Sequence, residues 1–352
     1  MAVAKVIGEL MEKQSGPADG LMRTLSFDIA RVTEAAAVAG AQFRGRGDEI
    51  QADIAAARAM RRELDDLPIS GRVVIGEGEQ DVVPVLYIGE EIGRGGSEVD
   101  IAVDPLEGIS LCAKSLPGAL SVLAMAERGA LLHAPDMYME KIAIGPGFEA
   151  GIVSLDRPVA ENLQRLAEAK GVHIREITAC VLDRPRHAKL IEEIRAAGAA
   201  VALIGDGDIA GVIQTCEPEE TGIDIYLGTG GAPEGVLAAA ALRCIGGQIE
   251  GRLSALNAEH VKRAKQLGIE DLGRKYSTAD MASGDIIFAA TGVTDGPLLT
   301  GVKFYDGQIE THTVIMRSAT RTVRWIYAEH LDVQKFALEG NDRTLAIKHG
   351  VL

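Results

Sequence analysis

The sequence predicts an α/β protein in two parts: helices on a largely antiparallel sheet over residues 21–155, then a parallel-sheet α/β part over residues 156–330. Three observations carry that prediction. Leu25, Ile29, Val32 and Ala36, and then Ile54, Ala57, Met60 and Leu64, recur at helical spacing. Short apolar runs broken by glycine turns follow, the pattern of paired strands. From about residue 156, strand-like and helix-like stretches alternate, which is how parallel sheets are built.

The first 20 residues end in Ser15-Gly-Pro-Ala-Asp-Gly20 and read as a flexible leader. The turn Arg44-Gly-Arg-Gly-Asp48 separates the two opening helices, and Asp53 falls in the first turn of the second, where a carboxylate favours the positive end of the helix dipole. Arg72–Ile75 is a short strand running into Gly76-Glu-Gly-Glu79. Val99-Asp-Ile-Ala-Val-Asp-Pro-Leu-Glu-Gly108 is an apolar strand that delivers Asp100, Asp104 and Glu107 around one turn. Alternation sets Asp100 and Asp104 on one face, and Pro105, with no N–H for the ladder, ends the strand. Ala119–Ala126 and Ala130–Ala134, joined by Glu127-Arg-Gly129, read as a hairpin. Tyr138 reads as a core residue and Lys141 as a surface one.

In the second part the order is Ile177–Leu182, His187–Ala197, Val201–Ile204, Ile209–Thr215, Ile223–Leu227 and the helix Glu234–Ile245. Ligands of parallel sheets bind outside the carboxyl ends of the strands. The segments leaving those ends are Asp183-Arg-Pro-Arg186, Asp206-Gly-Asp208 and Gly228-Thr-Gly-Gly-Ala-Pro-Glu-Gly235, and all three face one crevice. They supply guanidinium forks for phosphate, acceptors for sugar hydroxyls and free backbone N–H groups. Ile286–Gly292 and Thr313–Arg317 extend this second sheet, Trp325 joins the core, and residues 331–352 form a charged tail.

Lys+Arg 36 against Asp+Glu 51 leaves a net charge of −15, which argues against nucleic acid as a partner and suits a protein that collects cations. Cys112, Cys180, Cys216 and Cys244 stand far apart in apolar surroundings and read as reduced core residues. No run of eighteen apolar residues exists, and Glu9, Glu12 and Lys13 interrupt the N-terminus where a signal peptide needs an apolar centre. A cytoplasmic protein without a membrane partner is expected.

Asp53, Glu77, Asp104 with Glu107, and Glu234 offer acids from separate segments. Carboxylates crowded at strand ends repel one another unless a cation or a proton holds them. With no His/Cys cluster, an oxygen-only set suits Mg²⁺ or Mn²⁺, and two such ions beside a phosphate perform metal-assisted ester hydrolysis. Taken singly, each acid also has an ordinary explanation: Asp53 as a helix-start residue, the others as charged turns. No G-x-x-x-x-G-K-[ST] loop of a kinase or ATPase is present.

From about Leu21 to Trp325 the chain resembles the bacterial class II fructose-1,6-bisphosphatases, including the dual enzymes that also take sedoheptulose 1,7-bisphosphate. The pieces that carry the resemblance are Arg44–Asp48, Val74–Glu79, Leu86–Glu90, Asp100–Gly108, Ala134–Lys141, Arg184–His187, Asp206–Asp208 and Gly230–Val236. It implies the layered αβαβα fold of the lithium-sensitive, metal-dependent sugar phosphatases. It implies metals on Asp53, Glu77, Asp104, Glu107 and Glu234, with Glu77, Asp104 and Glu107 catalytic. It further implies a substrate cradle of Glu107, Gly108, Tyr138, Arg184, Arg186, Asp206, Asp208 and Gly231, release of the 1-phosphate in gluconeogenesis or the Calvin cycle, and a homo-oligomer, dimer or tetramer.

Two departures from the family pattern stand out. The threonine that usually follows Asp-Pro-x-Glu-Gly and helps orient the attacking water is Ile109 here, with Ser110 as its expected substitute. The first metal loop, usually Asn-x-Ala-Asp, reads Glu49-Ile-Gln-Ala-Asp53. Two alternatives stay open: a phosphatase of another small monoester such as an inositol phosphate, and a sugar-phosphate binder without turnover, which only Ile109 supports.

Overall fold

The computed structural model describes residues 21–78 and 84–338; the expected leader, Glu79 and the tail beyond residue 338 lie outside the described residues. Two helices come first. Leu21–Ala41 (α1) buries Ile29, Val32 and Ala35 through Val38, and Glu49–Asp65 (α2) packs beside it through Ala52, Ala56, Met60 and Leu64. Asp48 caps α2 by accepting the Gln51 N–H at 3.0 Å, so the helix starts before Gln51 and Asp53 lies beyond its first turn. The helix dipole therefore does not account for Asp53, contrary to the reading from sequence.

The chain continues through β1 (Ile69–Ile75), β2 (Glu91–Ile92), β3 (Ser97–Glu107), the short α3 (Ile109–Ala113), β4 (Leu120–Glu127), β5 (Tyr138–Ile144), α4 (Val159–Lys170), β6 (Thr178–Leu182), α5 (Ala188–Ala197) and β7 (Ala200–Ile204). Then come α6 (Asp208–Gln214), α7 (Pro218–Thr221), β8 (Ile225–Gly231), α8 (Ala232–Ile245), β9 (Gln248–Ser254), α9 (Ala258–Gln266), β10 (Lys275–Ser277) and α10 (Thr278–Met281). The strands β11 (Ile286–Gly292), β12 (Lys303–Tyr305), β13 (Gln308–Arg317) and β14 (Thr322–His330) follow, and a short 3-10 turn, Val333–Phe336, comes after them. Among the described residues they make an eight-stranded sheet, ordered β12-β13-β11-β4-β3-β1-β2 with β14 also on β13, and a six-stranded sheet, ordered β10-β9-β5-β8-β6-β7.

Side-chain alternation along the strands sorts the core into layers. Val73, Ile101, Val103 and Leu123 of the first sheet face α1 and α2. Ala102, Val122, Ala124 and Phe288 point the other way, into a layer holding α6, α8 and α10 and bounded beyond by Met139, Cys180 and Tyr226 of the second sheet. The outer face of the second sheet, with Ile142, Ala179, Val181 and Ile225, is covered by α4 and α5. The layers thus run helix, sheet, helix, sheet, helix, the αβαβα order implied by the resemblance. Between two sheets a helix must be apolar all round, and α8 buries Val236 through Leu242 without interruption.

Several local expectations are corrected. β11 and β13 do not extend the second sheet; β11 pairs with β4 from Ile286↔Ala126 to Gly292↔Leu120, placing β11 to β14 in the first sheet, while β5 joins the second. Strand membership therefore crosses the 155/156 boundary, because periodicity reports which face of a strand is buried and not which strand lies next to it. Residues 130–134 form no hairpin strand; β4 pairs with β3 and β11, and Leu131 makes only an isolated bridge to Ala282. The second sheet is parallel only across β7-β6-β8 and antiparallel beyond. Trp325 is 41% exposed on β14, outside the core. All four cysteines are free, with Cys112, Cys180 and Cys244 buried and Cys216 half-buried. No helix among the described residues is long and apolar enough to cross a membrane.

Candidate active site

The site begins with an irregularity in β3. Pro105 does not end the strand, which runs on to Glu107, but the register against β4 shifts between Asp104↔Val122 and Glu107↔Leu120. Residues three apart on a regular strand face opposite ways; here one extra residue is absorbed as a bulge, which also accommodates the proline. Val122 and Leu120 both face the layer between the sheets, so Asp104 and Glu107 do as well. Asp100 belongs elsewhere: it accepts the Gly129 N–H at 2.7 Å and lies 3.8 Å from Arg128, fastening the turn that leaves β4.

Other elements bring further acids to this point. Glu77 follows β1, where Gly76 fits closely against the Leu86 carbonyl. Glu77 shares a hydrogen bond with Asp53 of α2, and Asp104 shares one with Glu107. Glu234 sits in the first turn of α8, its Oε2 buried without a hydrogen-bond partner. Burial is the first cause pushing every one of these carboxyls up, Asp104 to about 6, Glu234 to about 7, and Glu77 and Glu107 well above the usual range. Burial raises Asp53 too. The acids also raise one another: Glu77 feels Asp53, Asp104 and Glu234, and Glu107 feels Asp104 and Asp208.

Within the described residues no three His, Cys, Asp or Glu side chains are arranged to hold a single ion; the acids stand as two hydrogen-bonded pairs with Glu234 alongside. A hard cation nevertheless fits the chemistry. The donors are all oxygens, one is an orphaned buried oxygen, and burial makes the fully ionised, metal-free state costly.

The second sheet supplies the opposite wall. Glu107 accepts the Ile209 N–H at the start of α6 at 3.0 Å, which ties the acid strand to the Asp206–Asp208 segment. Arg184 donates to the Gly205 carbonyl and approaches Asp206 at 3.5 Å. Arg186 donates from Nε to the Thr229 carbonyl at 2.9 Å and lies 4.9 Å above the ring of Tyr138. The three segments expected to share a crevice are thus connected, and Tyr138 is half-buried at its rim rather than in the core. Gly108, with φ +78, is the left-handed residue through which β3 turns into α3, and Gly231 precedes α8.

Sequence reasoning missed or misread three residues. Lys141 is not on the surface: it is 1% exposed and ion-paired with Asp208. Its alternation with Met139 and Ala143, both turned to the inner layer, is the signal that places it there. His187 donates from Nδ1 to the Leu182 carbonyl and accepts the Thr229 N–H through Nε2, so it holds the two strand ends together. Tyr226 lies fully buried beneath, its hydroxyl unpartnered.

Ser110 donates to Asp206 Oδ2 at 2.8 Å, and Ile109 is half-buried against the core beneath α1 and α2. The serine hydroxyl is therefore already engaged by the second-sheet wall. The crevice also tolerates no added carbon at Gly230, where a Cβ would strike the Asp208 carboxylate and come within 3.2 Å of Lys141 Nζ. Gly230→Ala is expected to cost about 1–3 kcal/mol, as overpacking does. A thermal midpoint equal to the parent's would contradict this packing.

The chain matches the family described as bacterial fructose-1,6-bisphosphatase, glpX-encoded, over residues 23–330. It is 44% identical over 333 residues to the D-fructose 1,6-bisphosphatase class 2/sedoheptulose 1,7-bisphosphatase of Synechococcus sp. strain JA-3-3Ab, covering 87% of this chain and 95% of that protein. It is 43% identical over 325 residues to the fructose-1,6-bisphosphatase 1 class 2 of Escherichia coli K12, covering 88% of this chain and 96% of that protein. A match of this extent, over the residues that build both walls of the crevice, shows that the chain belongs to the bacterial fructose-1,6-bisphosphatase family.

Proposed function

We propose that this protein hydrolyses the 1-phosphate of fructose 1,6-bisphosphate with Mg²⁺ or Mn²⁺ held by Asp53, Glu77, Asp104, Glu107 and Glu234. The observation that carries the reading is their convergence, without a basic ion-pair partner among the described residues, beside a crevice lined by Arg184 and Arg186. Divalent cations there would polarise the phosphoryl oxygens and activate the attacking water. Arg186, already oriented by the Thr229 carbonyl and the Tyr138 ring, binds a phosphate with little reorganisation. Asp206 and Asp208 accept sugar hydroxyls, and the Gly231 turn offers backbone donors. The resemblance alone supports a cytoplasmic homo-oligomer.

The Synechococcus relative's name favours the seven-carbon sedoheptulose 1,7-bisphosphate as a second substrate. Phosphate release from both bisphosphates and from an inositol phosphate, each with Mg²⁺ or Mn²⁺, tests the proposal; release from the inositol phosphate alone would overturn it. Replacing Arg186 by Ala is expected to cost roughly 1.5–3 kcal/mol of phosphate binding, read as a raised KM with metal affinity unchanged. Unchanged KM with lost metal binding would contradict the crevice as drawn.

A further inference from the structure

Asp208 stands among the acids of the site without being assigned to metal. It is near enough to Asp104, Glu107 and Glu234 to push each of them up. Yet it alone of these six acids is ion-paired among the described residues, its Oδ2 meeting the Lys141 ammonium. That ammonium also donates to the Gly231 carbonyl at 2.8 Å, on the turn that leads into Glu234.

Glycines make the slot for this lysine. A Cβ on Gly235 would come within 3.3 Å of Lys141 Cδ, and one on Gly230 within 3.2 Å of its Nζ. Desolvating an ammonium and a carboxylate together is barely offset by their attraction, and an apolar side chain in such a slot is often as stable. Stability thus gives little reason for the pair. The neighbourhood supplies another: hard cations recruit whatever carboxylates reach them, and Mg²⁺ keeps few positions for protein ligands. A sixth free carboxylate would take a position that phosphate or water needs.

We propose that Lys141 is a positioning residue that keeps Asp208 out of the metal set, holding its carboxylate against the second sheet as a substrate acceptor while the five acids without an ion pair remain for cations. The inference rests on the metal and substrate roles proposed above.

The test uses the full chain with Lys141→Met, and with Lys141→Gln read the same way should the first not accumulate folded. Mn²⁺ affinity is measured by calorimetry without substrate, alongside kcat and KM for phosphate release. Lys141→Met is expected to bind Mn²⁺ at least threefold more tightly while kcat falls at least tenfold and KM rises. Adding Asp208→Asn in the same chain should return Mn²⁺ affinity to the parent's value. Mn²⁺ affinity that stays unchanged, or that weakens together with kcat and thermal stability, would assign Lys141 a merely structural role and overturn the inference. Should the parent release no phosphate from the bisphosphate, the proposed substrate falls, and the Mn²⁺ titrations of the single and double variants still decide the role of Lys141.

Discussion

Glu77→Gln and Asp104→Asn are expected to lower phosphate release by on the order of 10³-fold or more while making the metal-free protein more stable. The first effect follows from losing a cation position worth several kcal/mol of transition-state charge stabilisation. The second follows from the acids themselves, since each amide keeps the shape of the carboxyl it replaces and removes a group whose ionised form is penalised by burial and by its acid neighbours. A gain of about 2 °C in thermal midpoint is expected for each kcal/mol of repulsion relieved.

The sign of the pH dependence follows. Asp104, near 6, and Glu234, near 7, hold protons in the folded state at pH values where the unfolded chain has lost them. These two groups therefore bind more protons in the folded metal-free protein than in the unfolded chain between the ordinary carboxylate range and about pH 7. Its stability from these groups is fully present below that range and is lost as pH rises through their folded values. A cation must displace the same protons, so its apparent affinity strengthens over the same window and its stabilisation grows. Thermal unfolding in chelator at pH 5 and pH 7.5, repeated with Mn²⁺, reads all of this. A parent whose stability changes between the two pH values by the same amount as that of the Glu77→Gln and Asp104→Asn variants would place the acids' repulsion elsewhere.

Ile109→Thr is expected to raise kcat by roughly tenfold or more, and Ser110→Ala to raise KM while leaving kcat nearly unchanged. A hydroxyl that helps position or deprotonate the attacking water is worth on the order of 10²–10⁴ in rate, and isoleucine has none to offer. Threonine keeps the β-branch with which Ile109 packs against the core, so the turn after Gly108 should hold. Ser110 is not free to take over that role, because its hydroxyl is donated to Asp206. Its loss unfastens the α3 turn from the crevice wall, an effect on binding rather than on the chemical step. If Ile109→Thr leaves the rate unchanged and Ser110→Ala abolishes it, the water-orienting role has moved to Ser110. If parent and variants all release nothing, the chain is a binder.

The sequence by itself determined which residue types and faces exist. The heptad-scale stripes of α1 and α2, the alternation of β6, α5, β7 and α6, and the acids set at the ends of apolar runs are local patterns, and local patterns are written in the order of residues. The arginine, Asp-Gly-Asp and glycine segments were legible as one crevice for the same reason, since each leaves a strand end. Tertiary structure decided what depends on partners. That β11 to β14 complete the first sheet is a choice of neighbour, which burial periodicity does not encode. That Glu107 shares a face with Asp104 depends on a bulge, since unbroken alternation would turn it away. Lys141 and Ser110 find their partners in Asp208 and Asp206, residues 67 and 96 positions distant, the first pair meeting when the second sheet assembles and the second when the two sheets close on the layer between them.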